Sequence, residues 1–188
     1  STVQMYPPGA PTIVEVTGLS TILEGAARPG HFRGVATVVT KLFTVVKCHW
    51  AYFGAKDWQQ SVIVRRLAAD LRMDLEIVVC PTVREADGLA LSSRNVLLTP
   101  EERRAAPVLY RALQWGAAEI REGRREAEVL RRGIADRIAA VTAAPLDYVA
   151  VVHPETLEPV PTADPPVLLA LAIRFGKARL IDNLLVEP

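Results

Sequence analysis

Residues 51–66 read AYFGAKDWQQSVIVRR, and this stretch decides how the rest of the chain is parsed. A short apolar run (Ala51, Tyr52, Phe53) stops at Gly54, and a helical pattern then opens with Lys56, Asp57 and Gln60 in its first turns. The pattern predicts a strand that delivers a small residue and then polar side chains to the mouth of a sheet. In open α/β sheets, ligands bind just outside the carboxyl ends of the strands. Gly54 permits close approach of backbone to a ligand. The helix start that follows suits an anion, and Lys56 offers a mobile point charge for phosphate. The competing reading is an ordinary strand-to-helix turn with a surface Lys-Asp pair, and these residues alone do not separate the two.

Working upstream, VATVVTKLFTVV (35–46) has the length and place of a crossover helix before that strand. Further back, TIVEV (12–16) alternates and predicts a short strand, and MYPPG (5–9) a turn. The intervening loop carries three possible cations, Arg28, His31 and Arg33, which by themselves read first as solvated loop charge. Downstream, residues 56–71 predict a helix with Val62, Ile63, Leu67 and Leu71 inward, and LEIVVC (75–80) a fully buried strand. Strand, helix, strand, helix, strand predicts a parallel sheet with right-handed crossovers.

The style changes at Pro81. PTVREADGLALSSRN (81–95) is polar and rich in hydroxyls and charges, yet lies between well-formed elements. Thr99-Pro100-Glu101-Glu102 then has the form of a helix start, with a Thr cap, Pro at the first position and Glu at the third. The helix is expected to run to about Glu122, burying Val108, Leu109, Leu113 and Ile120, until Gly123 breaks it. A second, over 125–143, is expected to bury Val129, Leu130, Ile134, Ile138 and Val141. Strands are predicted at 146–152, 167–173 and 179–186, the last two joined at Gly176.

Composition narrows the function classes. Half of the 188 residues are hydrophobic, enough for a substantial core, and the net charge of +1 gives no electrostatic case for nucleic acid or an anionic membrane. No apolar run approaches the roughly 18 residues of a membrane span. The opening STVQMYPPGAP predicts no signal peptide. Cys48 and Cys80 are too few for a disulfide framework and read as buried free thiols in a reducing, cytoplasmic setting. His31, His49 and His153 are far apart and predict no metal site.

Taken together, MYPPG, LEGAARPGHFRGVATVV, YFGAKDWQQ, CPTVREADGLALSSRN, DYVAVVHPETLEP and RLIDNLLVE resemble, in order and over nearly the whole chain, the pantothenate synthetase (pantoate–β-alanine ligase) family. The resemblance implies the rear part of a Rossmann-like parallel-sheet nucleotide-binding domain (1–82), followed by a small α+β C-terminal domain (83–188). It implies an ATP- and Mg2+-dependent reaction in two steps. Pantoate's carboxylate attacks the α-phosphorus to give pantoyl adenylate and pyrophosphate; the amine of β-alanine then attacks the acyl carbon and releases AMP. It further implies a cytoplasmic homodimer.

By the family motif, Lys56 would bind phosphate oxygens, Asp57 would contact the ribose or orient its neighbours, and Gly54 would lie against the nucleoside. Gln60 would hold pantoate, its amide able both to donate and to accept, with Arg28, and His31 beside it, near the pantoate and phosphate end. LALSSRN (89–95) stands where related adenylylating enzymes carry their Lys-Met-Ser-Lys-Ser loop. Ser92, Ser93 and Arg94 would bind the triphosphate, and Val83 and Leu91 would flank the adenine. Lys56, Ser92 and Arg94 are the expected catalytic groups, since adenylyl transfer needs positioning and cancellation of developing charge.

The sequence also departs from the family. Its Pro-Thr-Met-Gly, His-x-Gly-His and Phe-Val-Asn-Pro-x-Gln-Phe elements are not among the 188 residues. The resulting expectation is the back part of a longer enzyme, inactive and prone to self-association alone. Ala55 stands where Glu is usual, and Cys48-His49-Trp50 where Pro-Asp-Arg is usual. Two alternatives are a non-catalytic nucleotide-binding or dimerisation module, and a sister nucleotidylyltransferase with another acceptor. Gln60 and the HFRGV block favour pantoate over the latter.

Overall fold

The computed structural model describes residues 2–188, and the polypeptide divides into two compact units, Ser1–Cys80 and Pro81–Pro188. In the first unit, short helices α1 (Thr2–Met5) and α2 (Glu24–Ala27) precede the long helix α3 (His31–Val46). Strand β1 (Trp50–Gly54) leads through a single 3-10 turn (Ala55–Asp57) into α4 (Trp58–Asp70), and β2 (Glu76–Cys80) follows. β1 and β2 pair in parallel, from Trp50 opposite Glu76 to Gly54 opposite Cys80. The connection between them is therefore a crossover through α4, as a parallel pair requires. α3 packs on α4, and Phe32, Ala36 and Val39 are buried, as are Val62, Ile63, Val64 and Leu67.

Several expectations for this unit are corrected. TIVEV forms no strand. The Val14 N–H instead donates to the Thr37 hydroxyl (3.0 Å), which itself donates within α3 to the Arg33 carbonyl (2.7 Å). Alternation alone cannot make a strand whose backbone groups find a side-chain partner. α3 starts at His31 rather than Val35, entered from Gly30 in the left-handed region (φ 79°). α4 ends at Asp70, so Leu71 falls outside the inward-facing helix turns and is 51% exposed. β2 is half-buried rather than fully buried. Cys48 and Cys80 are free, but only half-buried.

In the second unit, α5 (Pro100–Ala105), α6 (Val108–Arg121) and α7 (Ala127–Ala139) precede strands β3 (Leu146–Val152), β4 (Val167–Phe175) and β5 (Ala178–Val186). The strands form an antiparallel sheet in the order β3-β4-β5. Gly176 and Lys177 close the β4–β5 hairpin, with Phe175 opposite Ala178. The expected single helix to Glu122 is two, because Pro107 has no N–H to continue the ladder. The second helix is shorter than expected. Val141 lies beyond its end and is 50% exposed, and Val129 is 52% exposed on its outer face.

α6 packs against α7, β4 and β5, and α7 against β3. The core they enclose includes Leu109, Leu113, Ile120, Leu130, Ile134, Ile138, Leu169 and Leu171, each no more than 1% exposed. Gly116 sits where an added Cβ would lie 3.0 Å from both Ile134 and Leu169, so its missing side chain lets α6 approach α7 and β4. β4, the central strand, is buried at every position but Arg174 and therefore lacks a polar face. Among the described residues, no helix is long and apolar enough to cross a membrane.

Candidate active site

In the first unit the polar cluster follows the end of β1. Gly54 has extended backbone (φ −77°, ψ 134°), and a Cβ built on it would meet nothing within 4 Å. Neither its dihedrals nor its neighbours require glycine, and the space beside it is open. Asp57 precedes the first turn of α4, yet its carboxylate makes no cap hydrogen bond to the helix, so the ordinary structural use of an Asp there is not made. Lys56 and Gln60 are half-buried and Asp57 exposed. Gly54, Lys56, Asp57 and Gln60 thus share one strand end, one 3-10 turn and the first turn of one helix.

The neighbouring amide has a different use. Gln59 is 6% exposed, and its amide makes three hydrogen bonds. It accepts from the Glu24 N–H (3.0 Å) and donates to the carbonyls of Leu19 (2.7 Å) and Ile22 (2.8 Å). This ties the segment leading to Arg28 onto α4. Arg28 is exposed and donates to His31 Nε2 at 3.0 Å. Sequence reading picked Gln60 and passed over Gln59.

In the second unit, residues 83–97 form a closed loop. Its arms are joined by Leu91 N–H to Val83 carbonyl and Glu85 N–H to Leu89 carbonyl (2.9 and 2.8 Å). Val83 and Leu91 are therefore neighbours, 65% and 50% exposed. Ser92 follows, its hydroxyl accepting the Arg94 N–H (3.2 Å) and capping the 3-10 turn Ser93–Leu97. That acceptor role leaves the hydroxyl proton available to donate. Ser93 and Arg94 are exposed. Asn95 braces the loop from inside, donating to the Ala90 carbonyl (3.1 Å) and to Glu85 (3.3 Å).

Beneath this loop lies a charged layer that sequence reading missed. Arg84 makes a two-pronged ion pair with Asp182 of β5 (2.7 and 2.8 Å), and the two side chains are only 15% and 3% exposed. The same guanidinium donates to the Gly88 carbonyl (3.1 Å) and stacks on the Tyr110 ring at 3.6 Å. Arg103 of α5 bridges Asp87 and Glu85, both at 2.6 Å. The Arg103 hydrogen bond holds the Asp87 carboxyl below the usual carboxylate range, with partial desolvation opposing it. One signal was available for Asp182: a carboxylate inside the apolar run RLIDNLLV needs a buried partner. Nothing in the sequence says that the partner lies 98 residues earlier.

The family model described as Pantoate-beta-alanine ligase matches residues 1–185. The chain belongs to that family. It is 53% identical over 184 residues to the pantothenate synthetase of Moorella thermoacetica, covering 98% of this chain and 65% of that protein. To the one from Pelotomaculum thermopropionicum it is 54% identical over 180 residues, covering 96% and 64%. The chain thus spans about two thirds of the length of the curated relatives it matches. The crystal structure of pantothenate synthetase from Thermus thermophilus superposes with a TM-score of 0.95 at 49% identity, covering 100% of this chain and 68% of that one. The pantoate-beta-alanine ligase of Francisella tularensis, complexed with beta-gamma ATP and beta-alanine, superposes with a TM-score of 0.75 at 34% identity, covering 99% and 62%. These structures share its mixed α/β fold, with one parallel and one antiparallel sheet.

Proposed function

We propose that this chain carries the nucleotide and pantoate determinants of an ATP-dependent ligase that condenses pantoate with β-alanine to pantothenate. The observation that carries the reading is the family match over residues 1–185. The ATP and β-alanine complex of the Francisella relative supports the substrate classes. In this reading the first unit is the rear of a Rossmann-like domain, and the protein acts in the cytoplasm as a homodimer.

The chemistry asks little covalent help from the protein. A pantoate carboxylate oxygen bonds to the α-phosphorus as the bond to the β-phosphate oxygen breaks, and pyrophosphate leaves. The β-alanine nitrogen then bonds to the acyl carbon, the acyl–oxygen bond breaks, AMP leaves and the nitrogen sheds a proton. Negative charge builds on phosphate oxygens in the first step, and fixed cations and donors aimed there lower its barrier. Lys56 and Arg94 supply the cations, and Ser92 and Ser93 supply hydroxyl donors. Gly54 gives the nucleoside backbone to lie against, Asp57 meets the ribose, and Val83 and Leu91 border the adenine. Gln60 and Arg28 hold pantoate. Among the described residues, no three His, Cys, Asp or Glu side chains gather to hold a metal. Magnesium would arrive on the triphosphate, where it keeps most of its water and needs few protein ligands.

The test is pantoate-dependent exchange of pyrophosphate into ATP, with the Lys56→Ala and Arg94→Ala variants alongside. Exchange by the unaltered chain that falls by about a hundredfold or more in either variant would support the ligase reading against the expectation that the chain is inactive alone. Binding of MgATP with no exchange would overturn the ligase reading for this chain and leave a nucleotide-binding or dimerisation module in its place.

A further inference from the structure

We infer that Arg84 is a positioning residue. Locked to Asp182 and Tyr110, it holds the 83–97 loop in the shape that presents Ser92, Ser93 and Arg94 to a triphosphate, without touching the nucleotide itself. This rests on the ligase reading for what the loop binds, and on geometry alone for what holds the loop.

An arginine beside a nucleotide loop invites assignment as a phosphate ligand, but the contacts of Arg84 point inward. One terminal nitrogen donates to Asp182 Oδ2 and to the Gly88 carbonyl, and the other to Asp182 Oδ1. One face of the guanidinium is covered by the Tyr110 ring at 3.6 Å. The buried Asp182 carboxylate offsets the charge, so little of it is left for a ligand. The carboxylate is itself anchored, since Oδ1 accepts the Asn183 N–H at 2.8 Å.

The lock also explains Gly88. This residue has φ +92°, and an added Cβ would lie 2.8 Å from the Tyr110 ring, so only glycine lets the loop sit on that ring. Its carbonyl is then turned to Arg84. From there the chain runs through Ala90, paired across the loop with Arg84, to Ser92. Arg103 adds outer ties to Glu85 and Asp87, but all three of those side chains are about one-third exposed or more, so these ties are the weaker part. Pre-organisation of this kind lowers the ordering cost that a mobile loop would meet on binding.

Two alterations of the full chain test the inference. Arg84→Lys keeps the charge but not the fork that reaches both Asp182 and Gly88. The double change Arg84→Met with Asp182→Leu removes both buried charges together, which preserves folding far better than orphaning one of them. Hydrogen exchange at the Leu89, Leu91 and Arg94 amides, and calorimetric titration with MgATP, are measured on each. In both variants we expect those amides to exchange about tenfold faster or more, as expected from losing one hydrogen bond, while β4 and β5 amides keep their protection. MgATP affinity should fall by a similar factor in both.

Loop amides that exchange at the original rate in the folded double variant would overturn the inference. So would full MgATP affinity in Arg84→Lys with loss only in the double variant, since Arg84 would then act through its charge. If the unaltered chain binds no MgATP, the nucleotide role falls together with the ligase reading. The exchange result separately decides whether Arg84 holds the loop.

Discussion

The side-chain carbonyl of Gln59 accepts the backbone N–H of Glu24 at 3.0 Å, binding helix α4 to the start of α2, 35 residues earlier in the chain. The same amide donates to two carbonyls of the loop leading into α2, those of Leu19 and Ile22. Gln59→Leu would leave one N–H and two carbonyls without these partners in a mostly buried setting. We expect it to destabilise the first unit by on the order of 2–3 kcal/mol. Gln59→Glu keeps the acceptor but sets a carboxylate oxygen against both carbonyls in a buried place, and should cost at least as much. Urea unfolding of the three proteins checks this; equal stability would mean that the loop is held by other contacts.

The same pair shows where sequence reading stops. A polar cluster at the end of an apolar strand was legible from residues 51–66, because strand ends and helix starts carry local signals. The parallel β1–β2 pair and the three C-terminal strands were legible for the same reason. Which of two adjacent glutamines faces inward was not. Neighbours on a helix point about 100° apart, and the choice belongs to the loop packed against them. TIVEV failed as a strand for a related cause: its partner is the Thr37 hydroxyl, a side chain on a helix. Arg84 drew no reading of its own, because its carboxylate is supplied by a strand near the other end of the chain.

The two faces of α7 make a direct comparison. Ile134 is 0% exposed and Val129 52%. Ile134→Ala should cost about 2–5 kcal/mol through lost burial and the cavity left behind. Val129→Ala should stay within about 0.5 kcal/mol, with a stabilising sign where helix propensity dominates, since alanine is the better helix former. Chemical denaturation distinguishes them. Similar losses from both would show that Val129 is covered in solution.

Helix α5 depends on a reciprocal cap. Glu102 N–H donates to the Thr99 hydroxyl (3.3 Å), and Thr99 N–H donates to the Glu102 carboxylate (2.8 Å). Thr99→Ala should cost about 1 kcal/mol. Because α5 carries Arg103, the Arg103 ties to the 83–97 loop should loosen as well. Faster amide exchange at Leu89 in Thr99→Ala would show this; a stability loss with no change at Leu89 would make the cap local to α5.

Arg103 and Asp87 give a pH signature. Asp87 titrates below its ordinary range, chiefly through the hydrogen bond from Arg103. A carboxylate whose pKa is lower in the folded state stabilises that state fully above its unfolded pKa, and loses the contribution as pH falls through the folded value. The window therefore opens near pH 4, where an unperturbed Asp titrates, and extends downward. Arg103 is shifted up from an already basic value, so its own contribution is constant from neutrality downward and adds no pH dependence there. The Asp87 side chain is 40% exposed, so solvent screening limits the pair to under about 1 kcal/mol. Arg103→Gln should accordingly lower stability at pH 7, with the gap to the unaltered chain shrinking steadily below about pH 4. Adding salt at pH 7 should narrow the same gap. A gap that is constant from pH 7 to strongly acidic solution would mean that Arg103 contributes through packing of its stem, and that the Asp87 carboxylate is not the group it stabilises.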